Sequence, residues 1–156
     1  MNYKSLQVAN FAPLLTADAA TDTVSVPATF VVPANLANGD VIEMHGLPAG
    51  YVPVDLIVAF PPMDSNGAPA LTVDAGMLSG TYNDGTAKTA GNEFFAASTT
   101  PRAGGIQRMV KAAGAQIAPT AASRSWGLKI SAGAATLVPG GTITATMVYR
   151  PQLEGI

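Results

Sequence analysis

From residue 24 to residue 151 the chain reads as short runs of alternating apolar and polar side chains, separated by clusters of Gly, Pro, Asn and Asp. In residues 24–32 every even position is apolar (Val24, Val26, Ala28, Phe30, Val32), the period-two pattern of a strand with one buried face. Pro27 falls on the opposite face and has no N–H for a ladder, so this strand is expected at a sheet edge or with a bulge. Residues 41–45 predict a short strand. Residues 52–60 predict a longer one, with Val52, Val54, Leu56, Val58 and Phe60 on one face. Leu71, Val73, Ala75 and Met77 repeat the alternation against Thr72 and Asp74. Trp126, Leu128 and Ile130 share a face opposite Lys129, and Ile143, Ala145, Met147 and Tyr149 share one opposite Thr142, Thr144 and Thr146.

Between these runs, Asn38-Gly39-Asp40, residues 47–50, residues 61–67 and Gly140-Gly141 carry turn chemistry. Residues 79–92 form a long loop around an Asn83-Asp84-Gly85 turn, and Asn92 is placed to cap a single helical turn over residues 93–97. Residues 106–112 fit either strand or helix. Seven or eight strands with little helix predict an all-β fold, an antiparallel β-sandwich that is jelly-roll-like at about eight strands. Residues 1–22 have no sustained period and are expected to form an extended N-terminal arm. Residues 23–151 then make a single β-sandwich domain and residues 152–156 a C-terminal tail.

Composition changes what this sandwich is for. The 156 residues hold eight Lys and Arg and ten Asp and Glu, 12% of the chain, against about a quarter in ordinary soluble domains. The apolar fraction of 48% argues against disorder, yet no apolar run is long enough to cross a membrane, so no membrane partner is expected. A surface this poor in charge suits protein neighbours better than bulk water. The charges also segregate. Residues 1–100 hold nine acids and two lysines, while residues 101–156 hold six bases and one acid. Opposed patches of this kind orient association, whereas six scattered bases make no nucleic-acid stripe. Met1-Asn2-Tyr3-Lys4-Ser5 leads into no apolar secretory segment, so synthesis in a cytoplasm is expected.

The groups available for chemistry are few. With no cysteine there is no disulfide, no zinc–thiolate site and no thiol nucleophile. His45, the only imidazole, shares a strand face with Glu43 and lies one strand before Asp55, a carboxylate–histidine pair in type. No nucleophile accompanies it, and an exposed strand face carries such residues routinely, so no catalytic residue and no enzyme activity are expected. Asp64-Ser65-Asn66-Gly67 and Asn83-Asp84-Gly85 offer calcium-type oxygens, but their spacing matches no EF-hand or RTX loop and the same residues populate ordinary turns. No metal and no cofactor are expected. Gly104-Gly105 and Gly140-Gly141 lack the lysine and spacing of a phosphate loop. Trp126 is expected in the core. Tyr51 and Tyr82, read as loop residues, and Phe11, Leu14 and Leu15 in the arm are the expected protein-interface residues.

The run from Gly39-Asp40-Val41-Ile42-Glu43 through Leu47-Pro48-Ala49-Gly50 resembles a G-D-V-I-E-L…L-P-A-G segment of small structural proteins of tailed-phage virions. Leu71-Thr72-Val73-Asp74-Ala75-Gly76, Asn92-Glu93-Phe94-Phe95-Ala96-Ala97 and the terminal strand ending in Tyr149-Arg150-Pro151 are similar to the same layout, over roughly residues 24–151. Residues 104–122 depart from it by being richer in glycine and alanine. The resemblance implies a head decoration (cement) or minor capsid protein, often a homotrimer. Such a protein binds major capsid protein on the capsid exterior and bridges its subunits, with no catalytic residues. A tail or baseplate component and a carbohydrate-binding β-sandwich module are the alternatives.

Overall fold

The computed structural model describes residues 1–19 and 21–152, so of the expected C-terminal tail only Gln152 falls within the described residues. Among them nine strands form. They are β1 (Asn2–Lys4), β2 (Val24–Val31), β3 (Val41–Leu47), β4 (Tyr51–Phe60), β5 (Thr72–Met77), β6 (Phe95–Ser98), β7 (Gly105–Arg108), β8 (Arg124–Ala132) and β9 (Thr142–Pro151). Two short helical turns, α1 (Leu6–Ala9) and α2 (Ala112–Ala115), complete the elements used below.

The pairing is nested: β2 with β9, β3 with β8, β4 with β7, β5 with β6, all antiparallel. The chain is one long ribbon doubled back in the loop between β5 and β6. Rolling that ribbon brings β4 against β9 and β5 against β8, also antiparallel. The result is a five-stranded sheet in the order β1-β3-β8-β5-β6 facing a four-stranded sheet in the order β2-β9-β4-β7. This is the jelly-roll arrangement expected from the strand count. Between the sheets Phe30, Leu56, Trp126, Leu128, Ile143, Met147 and the ring of Tyr149 form one continuous core. Each such side chain stabilises the fold by roughly 1.5–3 kcal/mol of burial.

Local departures have local causes. A bulge between Pro53 and Asp55 breaks the alternation of β4 and turns Val54 outward, 39% exposed, while Leu56 and Val58 stay buried. Tyr51 opens β4 opposite Pro151 and is not a loop residue. The helical turn expected over residues 93–97 is replaced by β6. Phe94 and Phe95 are both buried, Phe94 N–H donates to the Ala75 carbonyl at 3.0 Å, and pairing with β5 outweighs the cap at Asn92. The ambiguous stretch of residues 106–112 is strand β7 through Arg108, and helical turn α2 begins only at its end, at Ala112.

Pro27 does lie in an edge strand. Its outward edge is further blunted by Gln7, whose side-chain carbonyl accepts the Thr29 N–H at 2.8 Å. The first nine residues differ from the expected extended arm. Residues 2–4 pair in parallel with β3 from Asn2↔Val41 to Lys4↔Glu43, and Ser5 caps α1, which buries Val8 completely. A three-residue strand and one buried valine are too short to show a period, so the sequence pattern missed them. From Phe11 to Ala19 the chain forms neither helix nor strand.

Candidate functional site

The outer face of the five-stranded sheet is roofed by other parts of the chain. All seven residues of β3 are buried, Glu43 and His45 included, although the sequence placed that pair on an exposed face. Two glycines let the roof down onto the strands. A Cβ on Gly46 would sit 2.3 Å from Leu14 and 2.7 Å from the Tyr82 ring, and one on Gly76 would sit 2.4 Å from the Gly91 backbone. Under this roof the Glu43 carboxylate accepts from Ser125 Oγ and, at 3.0 Å, from the Asn83 N–H. Those bonds offset the expense of burying a carboxylate. His45 accepts the Gly46 N–H on Nδ1 at 2.7 Å and lies flat against Tyr82, centroids 5.7 Å apart and planes 12° apart. Burial holds the imidazole pKa below its usual value, against a smaller upward pull from Gly46.

Residues 10–19 cross this side of the molecule as a strap fastened by tyrosine hydroxyls. Tyr82 donates to the Ala12 carbonyl at 2.9 Å, Tyr149 donates to the Leu15 carbonyl at 2.7 Å, and the Tyr51 hydroxyl accepts the Ala17 N–H at 2.8 Å. Leu14 points inward over Gly46. Phe11 and Leu15 point outward, Phe11 77% exposed and with φ +54°, a left-handed backbone that a bulky residue adopts only with strain. Of the five expected interface residues, the structure brings Leu14, Tyr51 and Tyr82 together inside the chain as strap contacts and leaves Phe11 and Leu15 free-facing. Tyr149 is the strap residue that the sequence reading missed. Its alternation placed it in the core, correctly, but a tyrosine where phenylalanine would pack implies a partner for the hydroxyl.

The outer face of the four-stranded sheet has no such roof. Cross-strand rows run Pro27–Thr146–Ile57–Arg108 and Thr29–Thr144–Ala59–Ile106, flanked by Val31–Thr142 and by Ser25–Val148–Asp55. Asp55 and Arg108 on this face bond each other, and Arg150 stands exposed at the end of the outward row of β9. Ile106 is 69% exposed and Val31 49%. A broad sheet face of threonine, valine, isoleucine and alanine with its single ion pair internally neutralised is chemically a protein-facing surface.

The remaining candidates are structural. Asp64 accepts five backbone N–H groups: Thr136 (2.9 Å), Ala70 (2.9 Å), Ala135 (3.0 Å), Leu71 (3.2 Å) and Asn66 (3.3 Å). Burial alone would raise its pKa, but these donors prevail and hold it well below the usual carboxylate range. Asp84 accepts from the buried Lys88 Nζ at 2.8 Å and from Thr86 and Thr81, which hold its pKa low as well. A pocket of about 280 Å³ lies over Glu43 between β1 and residues 85–88, but its acid and its lysines are already engaged with Ser125, Asn83 and Asp84. Among the described residues no three His, Asp or Glu side chains converge to hold a metal ion. Asp55 bonds Arg108 on the other sheet, so His45 and Asp55 are not brought together.

No protein-family model matches the sequence, and no curated protein does. Two solved structures do. A chain of the capsid of Ralstonia phage GP4 is 33% identical, covered over 100% of its length by 99% of this chain, with a TM-score of 0.92. A chain of the capsid asymmetric unit of cyanophage Pam1 is 17% identical, with 94% of it covered by 90% of this chain and a TM-score of 0.68, a likeness of fold alone.

Proposed function

The chain belongs to the family of the Ralstonia phage GP4 capsid chain that it matches from end to end, and from that premise we propose that it decorates a phage head, bridging major capsid protein subunits on the outside of the shell. The observation that carries this reading is the open outer face of the four-stranded sheet, mostly threonine and small apolar groups with Asp55 and Arg108 bonded to each other, which suits a protein neighbour. Phe11 and Leu15 on the strap offer a second contact, pre-set by three tyrosine bonds so that little ordering entropy is lost on docking. A protein that binds only assembled shell stabilises it by mass action. In this reading the chain is made in the host cytoplasm, copies associate as a homotrimer, and the virion exterior is where it works.

The test mixes purified protein with undecorated heads, images them, and measures the free oligomer by light scattering. Ordered density on the outer surface and a raised shell melting temperature are expected. A monomer that ignores heads would overturn the reading, and binding to tails or to a glycan array instead would favour the alternatives. Because residues 2–9 are built into the sandwich, the strap is tested by Phe11→Ser with Leu15→Ser, not by deletion. That pair is expected to weaken head binding at least tenfold, the loss of about 1.4 kcal/mol.

A further inference from the structure

Tyr82 fastens the strap and also stacks on the one histidine of the chain, so the state of that ring bears on whether the strap stays down. Nδ1 of His45 accepts the Gly46 N–H at 2.7 Å, which requires an unprotonated Nδ1. Once protonated, Nδ1–H would face that N–H. The ring would have to turn toward the Gly46 carbonyl, now 3.4 Å away, or leave its place. Neither movement is free, because Tyr82 lies flat on the ring and, with Leu14, packs onto Gly46 closer than a Cβ could allow. Displacing Tyr82 withdraws the hydroxyl that holds the Ala12 carbonyl, and displacing Leu14 lifts the next turn of the strap. We propose that His45 is a proton-sensitive latch: neutral, it keeps Tyr82 and residues 10–14 on the five-stranded sheet, and protonated, it releases them.

The charged groups around the ring do not offset the change. On β3 itself Glu43 is the nearest carboxylate, already accepting from Ser125 and Asn83. In the covering loop Tyr82 is titratable, with its own pKa raised by burial and by Glu43, and Asp84 and Lys88 are paired with each other. On β1 Lys4 donates to Asn83, and at the start of β8 the Arg124 guanidinium donates to the Ala118 carbonyl. Residues 10–17 of the strap carry no charge. The direction follows from burial, which disfavours the imidazolium and sets the native pKa below 6.5. The folded chain therefore binds fewer protons than the unfolded one, so strap attachment is complete above pH 6.5 and is lost as pH falls below it. The latch concerns the strap's hold on its own chain and stands whatever the strap meets on a shell.

Hydrogen exchange of residues 10–14, corrected for intrinsic rates, reads the latch at about pH 7.5 and about pH 5, on either side of the histidine range. Protection is expected to fall about tenfold at the lower pH, while β9 and β4 hold theirs. His45→Gln keeps a side-chain acceptor for the Gly46 N–H but cannot be protonated, so its strap protection should not change with pH. Equal wild-type protection at both values, or the same loss in His45→Gln, would overturn the proposal. Should that variant fail to fold, the wild type still decides. As the only histidine, His45 gives unambiguous ring resonances, and these must titrate below pH 6.5 with the same midpoint as the strap amides. Separate midpoints would sink it.

Discussion

The two outer faces of this sandwich are built from the same kind of strand and end up as opposites. On the five-stranded sheet the outward residues Glu43, His45 and Ser125 are buried beneath α1, the strap and the loop before β6, and each has a specific polar partner. On the four-stranded sheet the outward residues are mostly threonines and small apolar groups, and Val31, Thr142, Thr144, Ala59 and Ile106 among them stand exposed. The difference separates two uses of a polar side chain. Where the chain covers its own sheet, charge is retained only as far as it is hydrogen-bonded, because an unpaired buried charge is prohibitive. Where the sheet is left for a neighbour, charge is kept to the bonded Asp55–Arg108 pair and to Arg150 at the end of β9, because a residue that must later be desolvated should have little hydration to lose.

The sharpest way to break the comparison is to pry off the roof. Gly76→Val puts side-chain atoms where the Gly91 backbone lies 2.4 Å from even a Cβ. Overpacking against backbone has no rotamer escape, and the variant is expected to lose about 3 kcal/mol or more, a drop of about 10 °C in Tm by calorimetry. The same substitution at outward-facing Thr144, which meets no covering segment, should leave Tm within about 2 °C. Equal losses at the two sites would mean that the faces do not differ.

Asp64 tests what both faces depend on. It stitches the connection between β4 and β5 to the one between β8 and β9, through Ala70 and Leu71 on one side and Ala135 and Thr136 on the other. In Asp64→Asn the amide nitrogen confronts backbone donors, so Tm should fall by about 5–10 °C and exchange protection should fall on both sheets together. Because the native carboxyl pKa is depressed below 3.8, the stitch contributes stability above that pH and loses it as pH falls further. Acid unfolding of the wild type should therefore steepen below about pH 4, and Asp64→Asn should lack that component. Loss of protection on one sheet only would show that the stitch is local.

A smaller effect is expected at the strap. Tyr149→Phe keeps the core ring and removes the donor to the Leu15 carbonyl, a loss of about 1 kcal/mol, visible as faster exchange in residues 14–17 with the sheets unchanged. Burial, with Tyr51 beside it, pushes the Tyr149 pKa up to about 12. The bond is thus present below pH 10 and lost as pH rises toward 12, and Tyr149→Phe should abolish that alkaline step in strap exchange. An unchanged step would assign it to another tyrosine.

How much of this was legible follows the same division. The four-stranded sheet reads directly at β2 and β9, because a strand with one wet face must alternate, and not at β4, where the bulge turns Val54 outward. Val26, Ala28 and Phe30 against Ser25, Pro27 and Thr29 are its plainest instance. The jelly-roll class also follows from strand count, though the pairing of particular strands does not. The five-stranded sheet was read one face at a time, and its roof was not, because α1 and the loop of residues 79–92 have no period of their own. Glu43 and His45 looked like surface residues since nothing in sequence says that Asn83 and Tyr82 return to cover them. The expected arm was half legible: residues 10–19 form neither helix nor strand, while Asn2–Lys4 joins a sheet through backbone pairing that leaves no side-chain signature. Of the interface residues, the aromatic type was informative and its direction was not.

The smallest expected change in stability carries the largest consequence for function. Thr144→Lys places one charge at the centre of the open sheet face, beside Thr29 and Ala59 and away from the Asp55–Arg108 pair. Exposed and on a strand, the substitution should alter folding stability by no more than about 0.5 kcal/mol. On a shell the same lysine would have to lose its water against an apolar neighbour with no carboxylate set to receive it, which costs several kcal/mol. Co-sedimentation with undecorated heads should fall by at least a hundredfold in affinity, roughly 2.7 kcal/mol, while Tm stays put. If Thr144→Lys bound heads normally and the Phe11→Ser, Leu15→Ser pair did not, the strap alone would be the docking element and the open sheet would face solvent or another copy of the chain. If both variants lost binding with intact folds, the two surfaces would act as one footprint, the strap aligning the molecule and the uncharged sheet supplying the area.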